Sequence, residues 1–163
     1  MKDKETYGKH EEGNVVSFQQ FQDFLNEKYS QYDLDFNRDF LPRMKDMALD
    51  CYLSAKQSLN PNKRGNSYEL LGFDFMIDED FRTWLIEVNT NPYIGLHNKG
   101  MSHIIPEMFK DMHKITIDPI FDPETTDLPS EENDFKIGKF DLLYSREKGV
   151  NKRRDPQEGV YPI

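Results

Sequence analysis

Cysteine is nearly absent from this chain. Cys51 alone among 163 residues excludes an internal disulfide framework and suits a reducing compartment. It falls inside a helical pattern, so a buried structural thiol is expected rather than a nucleophile. Long apolar runs are missing too: none approaches the roughly 18 residues needed to span a bilayer. The opening MKDKETYGKHEEGN lacks the hydrophobic region of a signal peptide. The expectation is a soluble cytosolic protein with no membrane partner. Positive charge is outweighed, with 21 Lys and Arg against 30 Asp and Glu and a net charge of −9. With a pI near 4.9, this argues against a nucleic-acid binder acting through its overall field. Four histidines are present, and His97, His103 and His113 have no spacing that compels a metal site, while His10 beside Glu11-Glu12 reads as a solvated loop.

Aromatic residues are plentiful by contrast. Twelve Phe and eight Tyr accompany an apolar content of only 36% and a mean hydropathy of −0.83, so a part packed through aromatics with solvated flanks is expected. The length suits one domain. Residues 1–14 read as a loop. Ser17 is placed to cap a helix over about 17–29 carrying Phe18, Phe21, Phe24 and Leu25 at helical spacing. A longer helix over about 37–59 has Leu41, Met44, Met47, Ala48, Cys51, Ala55 and Leu59 as its buried stripe, with Pro42 tolerable in its first turn. A third, over about 102–115, carries Ile104, Ile105, Met108, Phe109 and Met112.

Between the second and third helices lies Tyr68–Pro92, which reads as two antiparallel strands folded about the acidic turn Asp78-Glu79-Asp80. Matching apolar faces across a two-residue loop, Asp80-Phe81, sets Glu79 opposite Arg82, Ile77 opposite Trp84, Phe75 opposite Ile86 and Phe73 opposite Val88. The same register sets Asp74 opposite Glu87 with Asn89 next along that face. Like charges at cross-strand distance destabilise a sheet unless something compensates. An oxygen-ligated Mg²⁺ would do so. On residue types alone the alternative, two exposed charges on a solvated face, stays open. Convergence of the carboxylates, the added Asn and the small Gly72, expected to leave room above the sheet, favour a metal–phosphate site.

The charge pattern changes near the end. Seven acids and no Lys or Arg occupy 118–135, whereas seven bases against two acids occupy 136–154. Residues 124–163 therefore read as a charged, flexible tail that orders on a partner.

YELLGFDFMIDEDFRTWLIEVNTNP resembles the C-terminal part of the tubulin-tyrosine-ligase-like family, ATP-grasp enzymes that join an amino acid to tubulin or another protein. YGKHEEGNVVSFQQFQDFL and IIPEMFKDMHKITIDPIFDP agree with the family in sequence and order. The resemblance covers about Tyr7–Pro123. It implies ATP and Mg²⁺ as cofactors and transfer of the γ-phosphoryl group to a carboxylate, followed by attack of an amine on the acyl phosphate. It implies Asp74, Glu87 and Asn89 as Mg²⁺ ligands, Glu87 as the catalytic bridge between two ions, and Thr90 as substrate-adjacent. Tyr93-Ile94-Gly95-Leu96-His97 departs from the small or Cys residue and acidic-serine stretch of many relatives.

The fold expected is α+β: residues 1–123 as the C-terminal half of an ATP-grasp domain, an antiparallel sheet packed by helices, then an irregular charged tail. The nucleotide-clamping elements of the earlier half are not found upstream of Tyr7. Two functions follow. One is ATP-dependent ligation of glutamate, glycine or tyrosine to tubulin, in the cytoplasm on the cytoskeleton, a cilium or a basal body. The other is a non-catalytic module that binds tubulin or microtubules through the basic residues of 136–154.

Overall fold

Ser17 opens the first helix. Its Oγ accepts from the Gln20 N–H at 3.1 Å and the Gln20 side chain accepts from the Ser17 N–H at 2.8 Å, a reciprocal cap that satisfies two otherwise orphaned groups. In this computed structural model, residues 15–96, 99–121, 136–146 and 150–151 are described. The expected loop before residue 15, His97, the acidic stretch 122–135 and the bases at 152–154 lie outside them.

Helix α1 (Phe18–Lys28) is followed by a short 3-10 turn, Ser30–Tyr32, and a left-handed Asp33. The chain then makes a π-helical turn, Phe36–Phe40, before α2 (Leu41–Leu59) begins. The expected start at 37 thus falls in the wider turn. Asp35 closes the front of that turn by accepting from the Arg38 N–H at 2.8 Å, while Asp39 accepts from the Asp35 N–H at 2.8 Å. The Gln22 side chain ties α1 to this entry, donating to the Leu34 carbonyl at 2.8 Å and accepting from the Phe36 N–H at 2.7 Å.

These links build an aromatic core. Leu25 and Phe40 are 2% and 1% exposed, and with Phe36 they form its centre. Phe21 meets the Phe36 and Phe40 rings edge-on at 6.1 and 6.2 Å, a geometry that favours aromatic pairs. Of the α2 stripe read in the sequence, Leu41, Met44, Met47, Ala48, Cys51 and Ala55 are half-buried, with Leu41 and Met44 against the core, but the reading missed Leu49. Leu49 is its fully buried residue, and Leu59 is exposed because the helix outruns the core.

The fold is α+β. Strands β1 (Gly72–Ile77) and β2 (Thr83–Asn89) form an antiparallel hairpin, and Ile77 and Phe81 pack against the aromatic core. Helix α3 (Lys99–Thr116) starts earlier than 102 and leads to a single turn, α4 (Asp118–Phe121). Ile104, expected in its buried stripe, is exposed, whereas Asp111 and Met112 are buried. Two small hairpins follow: β3 (Lys136–Ile137) with β4 (Phe140–Asp141), and β5 (Tyr144–Ser145) with β6 (Val150–Asn151).

The described part of this last region docks on the helices. Asp111, 7% exposed, accepts from the Lys139 N–H at 3.0 Å. Gly138 has φ +57°, and a Cβ there would strike the Asp111 carboxylate at 2.0 Å, so glycine is required by both backbone and space. Lys45 pairs with Asp141 at 2.5 Å, and Lys56 donates to the Tyr144 hydroxyl at 3.0 Å. Among the described residues, no helix is long and apolar enough to cross a membrane.

Candidate metal centre

The two ends of the β1–β2 hairpin keep different registers. At the tip, the Asp78 N–H donates to the Arg82 carbonyl and the Phe81 N–H to the Asp78 carbonyl, both at 3.0 Å. Glu79, Asp80 and Phe81 therefore form a three-residue loop closed by a left-handed residue, Phe81 at φ 62°. The loop is one residue longer than the Asp80-Phe81 loop expected. Its extra residue corrects the register beside it: Ile77 faces Thr83, Met76 faces Trp84 and Phe75 faces Leu85. An irregularity between Asp74 and Phe75, which leaves Ile86 as the extra residue on β2, absorbs the difference. Beyond this bulge Asp74 faces Glu87 and Phe73 faces Val88, as the sequence predicts, and Gly72 faces Asn89.

The bulge also decides which side chains share a face. Opposed residues lie on the same side of a pleated pair. Phe73, Phe75, Ile77 and Leu85, all half-buried, make the dry face, with the Phe73 and Phe75 rings stacked at 6.3 Å. Gly72, Asp74 and Met76 line the other face of β1, opposite Asn89, Glu87 and Trp84 in that order, and Asp78 follows on the same side just beyond the strand. Trp84 was expected on the dry face and instead stands 51% exposed on the carboxylate face; Ile86 and Val88 are also exposed.

On that face Asp74, Glu87 and Asn89 come together. The Asn89 amide nitrogen donates to Asp74 Oδ2 at 3.1 Å and to Glu87 Oε1 at 3.2 Å, bridging two carboxylates that would otherwise repel. Turned over, the amide presents its oxygen to the same point, and the set becomes three hard oxygen donors. Two carboxylates and an amide suit Mg²⁺, which favours oxygen ligands and takes few of them from protein. Among the described residues, no three His, Cys, Asp or Glu side chains cluster to hold a metal, so an ion here depends on the amide as well as the acids. Thr90 is exposed at the bend that follows Asn89. The room expected above Gly72 is filled from within: a Cβ there would lie 2.9 Å from Pro92 Cβ, so the glycine admits the returning chain rather than a ligand.

One group beside the site was read in the sequence only as part of an acidic turn. Asp78 Oδ1 accepts from the N–H groups of Asp80 and Arg82 at 3.0 and 2.8 Å, and Oδ2 accepts from the Trp84 indole at 2.7 Å. These bonds, the indole first, hold its carboxyl below the usual carboxylate range. An Asp at the head of a turn bonding to backbone N–H groups further on is the sequence signal that points to this.

The bulged hairpin of this α+β chain thus gathers two carboxylates and an amide on one face. A sequence model of the tubulin-tyrosine ligase family matches residues 2–125. The chain belongs to that family. It is 31% identical over 131 residues to tubulin glycylase 3A of Drosophila melanogaster, covering 80% of this chain and 12% of that protein. It is 28% identical over 153 residues to the probable alpha-tubulin polyglutamylase Ttll1 of Tetrahymena thermophila, covering 84% of this chain and 37% of that one. To the protein polyglycylase TTLL10 of Rattus norvegicus it is 31% identical over 100 residues, with 58% and 14% covered. The chain therefore spans only a fraction of the length of these relatives.

Proposed function

We propose that this chain is the metal-binding part of an ATP-dependent ligase that joins an amino acid to tubulin or a related protein. The observation that carries the reading is the convergence of Asp74, Glu87 and Asn89 on one face of the bulged hairpin. Relatives named as tubulin glycylases and a polyglutamylase support the acceptor and the type of bond. Residues 1–123 are read as the C-terminal half of an ATP-grasp domain and 124–163 as a charged tail, whose described residues 139–144 bond back to α2 and α3.

Asp74, Glu87 and Asn89 would hold Mg²⁺, which when bound supplies positive charge to offset that of ATP as its γ-phosphoryl group passes to a carboxylate. Glu87 is the central group, hydrogen-bonded to Asn89 on its own strand and facing Asp74 across the hairpin. Asn89 donates to both carboxylates as the site stands, and its amide would turn its oxygen to the ion when Mg²⁺ binds. Thr90, exposed immediately beyond, is read as bordering the donor amino acid or the acceptor chain. The partners are tubulin or microtubules and a free amino acid, and the setting is the cytoplasmic cytoskeleton, including cilia and basal bodies.

The test is a transfer assay with the full protein, tubulin, ATP and Mg²⁺, supplying glycine, glutamate or tyrosine in turn. The intact mass of tubulin is expected to rise by whole residues of one of these amino acids. No increment with any of them, from protein that is folded and supplied with ATP, would overturn the reading.

A further inference from the structure

The β1–β2 sequence supports two registers, and apolar pairing does not favour the one the hairpin adopts. A regular ladder would pair Phe75 with Ile86 and Ile77 with Trp84, placing six apolar residues on the dry face. The observed bulged ladder pairs Phe75 with Leu85 and Ile77 with Thr83, leaving Trp84 and Ile86 largely in solvent. A slip of one residue exchanges the faces of a strand, so something must hold the less apolar arrangement. The Asp78 carboxylate is placed to do so. It shares a face with Met76, whose cross-strand partner is Trp84, so the indole reaches it along a diagonal of the ladder. In the regular register Trp84 would project from the opposite side of the sheet, and this bond could not form. The two N–H bonds from Asp80 and Arg82 hold the three-residue loop that the bulged register needs.

We propose that Asp78 is a positioning residue: bonded to the Trp84 indole and to the turn, its carboxylate selects the bulged register and keeps Trp84 on the face that carries Asp74 and Glu87. The two carboxylates face each other in either register, because the bulge lies between them and the tip. What the register changes is their neighbour opposite Met76, which is Trp84 in the bulged ladder and Leu85 in the regular one. Asp78 thus governs the surface beside the carboxylates and not their meeting. The inference rests on the metal-site reading only for what that surface flanks.

Asp78→Ala in the 163-residue chain tests it. Cross-strand nuclear Overhauser contacts between Phe75 and Leu85 and between Ile77 and Thr83 are expected to be lost. Contacts from Phe75 to Ile86 and from Ile77 to Trp84 should replace them. Trp84 is the only tryptophan, so its fluorescence should shift to shorter wavelength as the indole leaves solvent. Mn²⁺ used as the probe should still bind, while its broadening of the indole N–H resonance is lost. Native contacts retained in Asp78→Ala would overturn the proposal. If that variant does not fold, Trp84→Phe, which keeps a ring and removes the indole donor, must show the same exchange of contacts, and native pairing there overturns it equally. Failure of Mn²⁺ to bind the unaltered chain would strike the metal reading and leave the register result standing.

Discussion

Glu87→Gln is expected to lower amino-acid ligation by the full protein about 10²–10³-fold, the scale seen when one preorganised electrostatic partner of a transition state is removed. Gln keeps the size of Glu and an oxygen that accepts from Asn89, so the local hydrogen bonding survives. What is lost is the second negative charge facing Asp74. Glu87 is exposed on a two-stranded ladder, so global stability should move by less than about 0.5 kcal/mol. Removal of cross-strand repulsion acts in the stabilising direction. The transfer assay together with urea unfolding separates these effects. Ligation close to that of the unaltered protein would remove Glu87 from the catalytic role proposed for it.

Phe81→Ala should destabilise the chain by about 2–4 kcal/mol, near the lower range for loss of a packed aromatic side chain because Phe81 is only half-buried. Its ring lies 5.1 Å from that of Tyr29 and 5.3 Å from that of Tyr32, and packs against the core of Leu25, Phe36 and Phe40. The backbone opposes this placement, since a left-handed residue with a Cβ is strained by roughly 1–2 kcal/mol. Phe81→Gly removes the same ring and also the strain, so it should recover about 1 kcal/mol of the alanine loss and remain less stable than the native chain. Urea denaturation of the three proteins orders them. A glycine variant more stable than the native chain would mean that the ring does not anchor the hairpin tip to the helices.

The helices and the pairing of Asp74 with Glu87 were legible because each rests on a strong local pattern. Ser17 and Gln20 state their cap within four residues, and of the Phe18–Leu25 stripe Phe21 and Leu25 reach the core while Phe18 and Phe24 stay exposed. The tip of the hairpin was not legible. Alternation gave Trp84 and Ile86 to the dry face because burial alone was counted. The deciding terms were the polar bonds of Asp78 and a left-handed Phe81, both of which run against simple preference. Two departures cancelled: a loop one residue longer than expected, and a bulge of one residue at Ile86. The carboxylate pairing was therefore reached through a ladder correct only at its far end. Gly72 shows a similar limit. Its small size was visible, but its occupant, Pro92, depends on how the chain returns after Asn89.

The most direct test of cation binding at Asp74, Glu87 and Asn89 is a Mn²⁺ titration followed by paramagnetic broadening of assigned backbone amides. Broadening should begin at these three residues and spread along the hairpin before it touches the acidic turn Glu79-Asp80 or the Asp33–Asp39 cluster. It should vanish from the hairpin in Glu87→Gln. Broadening spread evenly over exposed acids, or unchanged in Glu87→Gln, would contradict the account.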